Sequence, residues 1–173
     1  MKLKDICEDV KLQKQGTYAG VKYSTKSVDA IRRYLKDNNI PNQVNTKKIH
    51  TTLLYSRKFL PKFKAQGMLT HPIKATFEKF VVWETTPPDP KQTPWNCLVM
   101  QLRCPELVNL HKRYMKEHEA EYDYDVYTPH VTLSYNIGDL DIKQLPRFED
   151  TLYITEEYME TLNLDWAATD GVK

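Results

Sequence analysis

The sequence predicts an α+β protein of two pseudo-symmetric lobes, each an antiparallel-type sheet with an outer helix, together forming a central cleft. Three observations lead to this. The order strand, helix, histidine-bearing strand, strand occurs twice along the chain. Two matched segments, His50-Thr51-Thr52-Leu53-Leu54-Tyr55 and His130-Val131-Thr132-Leu133-Ser134-Tyr135, fall at corresponding places in the two copies. A stretch holding four of the ten prolines, residues 85–94, lies near the midpoint.

In the first copy, residues 17–23 are β-branched and aromatic enough to form a strand. Ser27 is a candidate helix cap, and Val28, Ile31 and Leu35 recur at helical spacing behind it. Asn38 and Asn39 are stop signals, and Pro41 prevents continuation. His50 then opens an apolar run, and residues 73–83 read as a further strand. In the second copy, residues 97–103 read as the first strand, and Pro105 suits the opening turn of a helix. Leu107, Leu110 and Tyr114 mark that helix's apolar face, and it is expected to end near Glu119. His130 opens the second apolar run, and residues 153–166 supply the last strand. The proline-rich stretch suits neither a helix nor a central strand. It reads as the connector between two halves of one bilobal domain over residues 1–173.

Bulk properties narrow the possibilities. A chain of 173 residues with 40% apolar and 11% aromatic residues can bury a core and is not a disordered sequence. No run approaches the ~20 apolar residues that span a bilayer, so no membrane partner is expected. The N-terminus turns acidic at Asp5, before any apolar core, unlike a secretory signal. Three cysteines, Cys7, Cys97 and Cys104, show no C-x-x-C spacing, which points to a reducing, cytoplasmic compartment rather than a disulfide framework or zinc cluster. A net charge of +2 is too small to draw in long nucleic acid, so a phosphate ligand must meet a local site.

The matched segments supply that site. Of five histidines, only His50 and His130 are followed by Thr at +2, Leu at +3 and Tyr at +5. Side chains alternate along a strand, so His50 and Thr52 share one face while Thr51 and Leu53 take the other. The same holds for His130 and Thr132. A lone histidine opening a buried strand is ordinarily a core residue, but two in a repeated layout point to catalysis. Imidazole has an ordinary pKa of about 6.5, so one copy can accept a proton while the other gives one. The threonine hydroxyls can donate to the non-bridging oxygens of a phosphodiester. No cofactor or metal is required, and no compact His/Asp/Glu cluster suggests one. The other three histidines are not read as catalytic: His71 precedes Pro72, while His111 and His118 fall on a helix and are expected at the surface.

The duplicated H-x-T on paired strands resembles the two-histidine (2H) phosphoesterases, with one departure: Thr51 stands where that superfamily usually has an apolar residue. The resemblance extends to the phage anti-CBASS phosphodiesterases through Gly16-Thr17-Tyr18-Ala19-Gly20-Val21-Lys22, Lys47-Lys48-Ile49 before the first motif, Thr128-Pro129 before the second, and Glu160-Thr161-Leu162-Asn163-Leu164-Asp165-Trp166. It implies a metal-independent enzyme without cofactor that degrades the cyclic di- and trinucleotide signals of bacterial defence, cGAMP among them, in the host cytosol if phage-encoded. It implies His50, Thr52, His130 and Thr132 as catalytic, and Tyr18, Glu160 and Trp166 as nucleotide contacts. Strand parity independently puts Glu160 and Trp166 on one face. Trp83 is a further candidate for stacking on a base, at ~1–3 kcal/mol per base, with core packing as the ordinary alternative. Two other readings use the same residues: an RNA-processing enzyme acting on RNA ends or 2′,3′-cyclic phosphates, and a non-catalytic cyclic-nucleotide sponge.

Overall fold

The computed structural model describes residues 15–85, 91 and 94–163. Its first element is β1 (Gln15–Tyr23), followed by helix α1 (Thr25–Asp37). Ser24, not Ser27, caps α1: its side chain accepts from the Ser27 backbone N–H at 3.3 Å. Both serines were available to the sequence, and Ser27 instead lies buried in the first turn beside Ala30, Ile31 and Leu35. The helix stops where Asn39 turns left-handed, at φ 48°. The motif strands are β2 (Thr51–Ser56) and β5 (His130–Ser134). Between them lie β3 (Gly67–Thr85), β4 (Trp95–Arg103) and helix α2 (Pro105–His118), with Pro105 at its start. The last strand, β6, is Leu152–Asn163.

Four strands differ in their bounds from the expected ones, and β1 and β4 do so only by starting two residues early, at Gln15 and Trp95. The third begins at Gly67, earlier than residue 73, because Gly67 and Met68 already pair with Glu157 and Glu156 of β6, ahead of a register break between Met68 and Ile73. Pro72 sits in that break, where no ladder N–H is needed. The last strand is described as far as Asn163, so Leu164 to Trp166 lie outside the described residues.

All strand pairings are antiparallel, in the order β2-β1-β6-β3-β4-β5. Exchanging the two copies (β1 for β4, β2 for β5, β3 for β6) gives the same order read backwards. The third strand of each copy therefore belongs to the other lobe. β3 joins the lobes, since Gly67–Ala75 pairs with β6 and Thr76–Thr85 with β4. The helices cross over too. Tyr34 of α1 stacks on Phe80 of β3 at 5.5 Å, while Tyr114 of α2 bonds to Glu157 of β6 at 3.0 Å. Between helices and sheet sit the fully buried Ile31, Leu35, Leu53, Leu54, Leu98, Met100, Leu107, Leu133 and Ile154. Burying such side chains is the main stabilising contribution, about 1.5–3 kcal/mol each.

Candidate active site

β2 and β5 stand at opposite ends of the strand order, yet they meet. The Thr51 hydroxyl donates to the His130 carbonyl at 2.7 Å, and the Tyr127 hydroxyl, just before β5, donates to the Thr52 carbonyl at 2.8 Å. The sheet curls until its two free edges face each other, and side chains rather than a backbone ladder close the gap. The outer edge of β5 is also covered by the loop before β2, where the Val44 N–H donates to the Leu133 carbonyl at 3.0 Å. Exposed edge strands are thereby avoided.

Along β2, Thr52 is half-buried between the buried Thr51 and Leu53. Along β5, His130 and Thr132 are half-buried while Val131 and Leu133 are buried. Each His/Thr pair thus shares the more open face. The two rings are anchored alike: His50 Nδ1 lies 2.7 Å from the Lys48 carbonyl, and His130 Nδ1 lies 2.9 Å from the Thr128 carbonyl. A carbonyl only accepts, so each Nδ1 carries the hydrogen. In the neutral ring Nε2 is then the free base, and in the charged ring it is the acid. Burial holds the His130 pKa below the ordinary imidazole value, opposed by the Thr128 carbonyl and assisted by the charge of His50.

Aromatic side chains flank both rings. Tyr18 meets His50 edge-on at 6.3 Å and places its hydroxyl 3.1 Å from Thr52 Oγ1. Burial is the main cause of its raised pKa, so Tyr18 keeps its hydrogen at neutral pH. Trp83 is 40% exposed and packs edge-on against His130 at 4.5 Å, so core packing does not describe it. Glu160 is exposed and stands directly opposite Tyr18 in the β1–β6 ladder, which puts both on one face. Trp166 lies outside the described residues.

Several neighbours of the site escape sequence reasoning. Tyr158 lies over Gly20, where a Cβ would come within 2.8 Å of its hydroxyl, and its ring is 6.1 Å from that of Tyr18. The register pairing Gly20 with Tyr158 reveals this only once the fold is known. His111 is not a surface residue. It is buried, its Nδ1 is 2.8 Å from the Leu53 carbonyl, and its ring stacks on Tyr127 at 4.1 Å. Its place one residue after Leu110 on the apolar face of α2 was the available signal. His71 is exposed, and His118 is half-buried against Phe63 at 5.3 Å. Among the described residues, no group of three or more His, Cys, Asp or Glu side chains is placed to hold a metal ion. Two surface hollows of about 280 and 360 Å³ lie elsewhere, lined by residues such as Lys58 and Lys116 or Tyr34 and Phe148.

The family model described as anti-CBASS protein Acb1 matches residues 15–169. The chain is similar to anti-CBASS protein Acb1 of Yersinia phage phiR1-RT, with 34% identity over 156 residues that cover 88% of this chain and 92% of the relative. It is likewise similar to that of Enterobacteria phage T4, at 33% over 155 residues, covering 88% and 91%. Among solved structures, it is similar to E. coli LigT complexed with 3′-AMP, with TM-score 0.53, 15% identity, and 85% and 87% of the two chains covered. A structure described as a phosphoesterase gives TM-score 0.52 at 16% identity, with 85% and 87% covered. At such identities the likeness speaks to fold alone, and the fold is that of the two-histidine phosphoesterases.

Proposed function

Because the chain belongs to the anti-CBASS protein Acb1 family, we propose that it is a metal-independent phosphodiesterase. Its substrates are 3′–5′-linked cyclic di- or trinucleotides, and their hydrolysis in the host cytosol counters CBASS signalling. The observation that carries this reading is the matched anchoring of the two rings. Each Nδ1 is tied to the carbonyl two residues back, which leaves both Nε2 atoms for proton transfer on facing strands.

His130, held toward the neutral form, acts first as base and removes the proton of the ribose 2′-hydroxyl. The 2′-oxygen attacks phosphorus, and the bond to the 5′-oxygen breaks. His50 gives its Nε2 proton to that departing oxygen. A 2′,3′-cyclic phosphate results, and water opens it with the two roles reversed, so each linkage consumes one water. Thr52 and Thr132 donate to the non-bridging oxygens as charge builds there. Tyr18 Oη lies 3.1 Å from Thr52 Oγ1, and when it is the donor of that pair the hydrogen of Thr52 is free for phosphate. Trp83 and Tyr18 offer surfaces for bases, and Glu160 an acceptor for exocyclic amines. Trp166 joins them as a nucleotide contact by resemblance.

The test is incubation with chelator and a panel of cyclic di- and trinucleotides, linear RNA and 2′,3′-cyclic-phosphate RNA, with products identified by mass. Cyclic substrates are expected to open despite the chelator, and His50→Ala and His130→Ala are each expected to lose at least ~10³-fold in rate. Intact recovery of every cyclic nucleotide, or full activity in either variant, overturns the reading. Consumption of the RNA substrates alone favours the RNA-processing alternative.

A further inference from the structure

Thr51 breaks the symmetry of the site. Its counterpart in the second motif is the buried Val131, so one copy carries a hydroxyl where the other carries a methyl. The Thr51 side chain is fully buried, and its hydroxyl bonds the first motif strand to the backbone of the second, alongside the Tyr127–Thr52 bond. The His130 carbonyl is free for this contact. Just before β5 it is the preceding carbonyl, that of Pro129, that accepts from the Leu102 N–H on β4 at 2.8 Å. The His130 carbonyl points the other way, toward β2.

A second hydroxyl completes the arrangement. Tyr23 Oη lies 2.5 Å from Thr51 Oγ1 and is itself buried. The single hydrogen of Thr51 is committed to the His130 carbonyl, so Tyr23 must be the donor in its pair. Burial pushes the Tyr23 phenol above its ordinary value, so it retains that hydrogen. The result is a directed chain, Tyr23 to Thr51 to the backbone of His130. It runs from the end of β1 through the first motif to the second histidine.

We propose that Thr51, held by Tyr23, is a positioning residue that sets the separation of the two histidine-bearing strands. This rests on the phosphodiesterase reading above and deepens it. In-line displacement needs base and acid on opposite sides of one phosphorus, and a misplacement of ~1 Å is enough to cost ~10²-fold in rate. A side-chain contact between two sheet edges is a softer link than a ladder, so a single hydroxyl carries more of the geometry here than within a sheet.

The test compares Thr51→Val, Thr51→Ser and Tyr23→Phe in turnover of a cyclic dinucleotide, well below each variant's melting temperature. Thr51→Val keeps the volume and is expected to lower kcat by roughly 10–100-fold with KM within about two-fold. Thr51→Ser restores the hydroxyl and is expected to recover most of the rate. Tyr23→Phe leaves Thr51 its bond to His130 but removes its restraint, for an intermediate loss of about 3–10-fold. A kcat for Thr51→Val within two-fold of the parent overturns the proposal. If Thr51→Val does not fold, a parent-like kcat for Tyr23→Phe does so. The imidazole signals of His50 and His130 in ¹H–¹⁵N NMR need no substrate. They are expected to shift in Thr51→Val and return in Thr51→Ser, and unchanged signals also overturn the proposal. A parent that opens no cyclic nucleotide refutes the activity reading instead, and the NMR comparison still decides the role of Thr51.

Discussion

Gly20→Ala tests how tightly the site's floor is packed. An alanine Cβ at this position meets Tyr158 Oη at 2.8 Å and its Cε1 and Cζ at 2.9 Å. Favourable carbon contacts lie near 3.5–4.0 Å, so the ring must retreat by roughly 0.6–1 Å. Overpacking of this kind costs about 1–3 kcal/mol. Gly20 is not in the left-handed region, so alanine also restricts the unfolded chain, which offsets about 0.4–1 kcal/mol. The net loss is about 1 kcal/mol, or about 2–4 °C in Tm for a chain of this size. The larger effect is expected on activity. Tyr158 packs at 6.1 Å against Tyr18, whose hydroxyl is 3.1 Å from Thr52 Oγ1, so displacing it disturbs the site and kcat/KM for a cyclic dinucleotide should fall about 10-fold. Thermal melts and steady-state kinetics of Gly20→Ala, Tyr158→Ala and the double variant give the assay. The small side chain at 158 removes the clash, so the double variant should show a coupling of at least about 0.5 kcal/mol. Parent-like melting and turnover in Gly20→Ala, or strict additivity in the cycle, refutes the reasoning.

The other predictions concern pH. Burial holds His111 below the ordinary imidazole value of about 6.5, so the unfolded chain binds its proton more readily. Its contribution is complete above about pH 6.5 and is lost as pH falls. His111→Phe keeps a ring against Tyr127 but removes the donor to the Leu53 carbonyl. Urea unfolding should therefore show a loss of about 1–2 kcal/mol at pH 8 and a shallower decline from pH 7 to 5 than in the parent; parallel profiles contradict this. The decline should not vanish, because His130 is shifted the same way, while the buried Glu157, raised by burial, opposes it. For activity, the low pKa of His130 places the acid limb of kcat/KM below about pH 6.5, and a midpoint above 7 rules it out as the first base.

Much of the fold was legible because it is written in local patterns. Apolar spacing at Ile31 and Leu35, Pro105 at a helix start, and the alternation around His50 and His130 each mark an element without outside information. Repetition then turns one marginal motif into a pair. What stayed hidden depends on partners distant in sequence. Thr51 touches a carbonyl 79 positions away, and Tyr158 reaches Gly20 only through the β1–β6 register. His111 was misjudged because histidine on a helix is usually solvated. Here a carbonyl on β2 and the ring of Tyr127 satisfy it in the interior.

The exchange of third strands bears on how such a molecule can be divided. The C-terminal part of β3 finds its ladder partner on β4, and β6 finds its own on β1 and on the first part of β3. Either half cut away on its own would carry an unpaired strand projecting beyond its sheet. Because the strand order reads alike from both ends, two copies of one half could satisfy each other by trading that strand. The 173-residue chain is in this sense a domain-swapped pair made permanent by a covalent link. A nick between residues 85 and 94 should therefore leave two fragments that remain bound, held by ladders instead of by the connector.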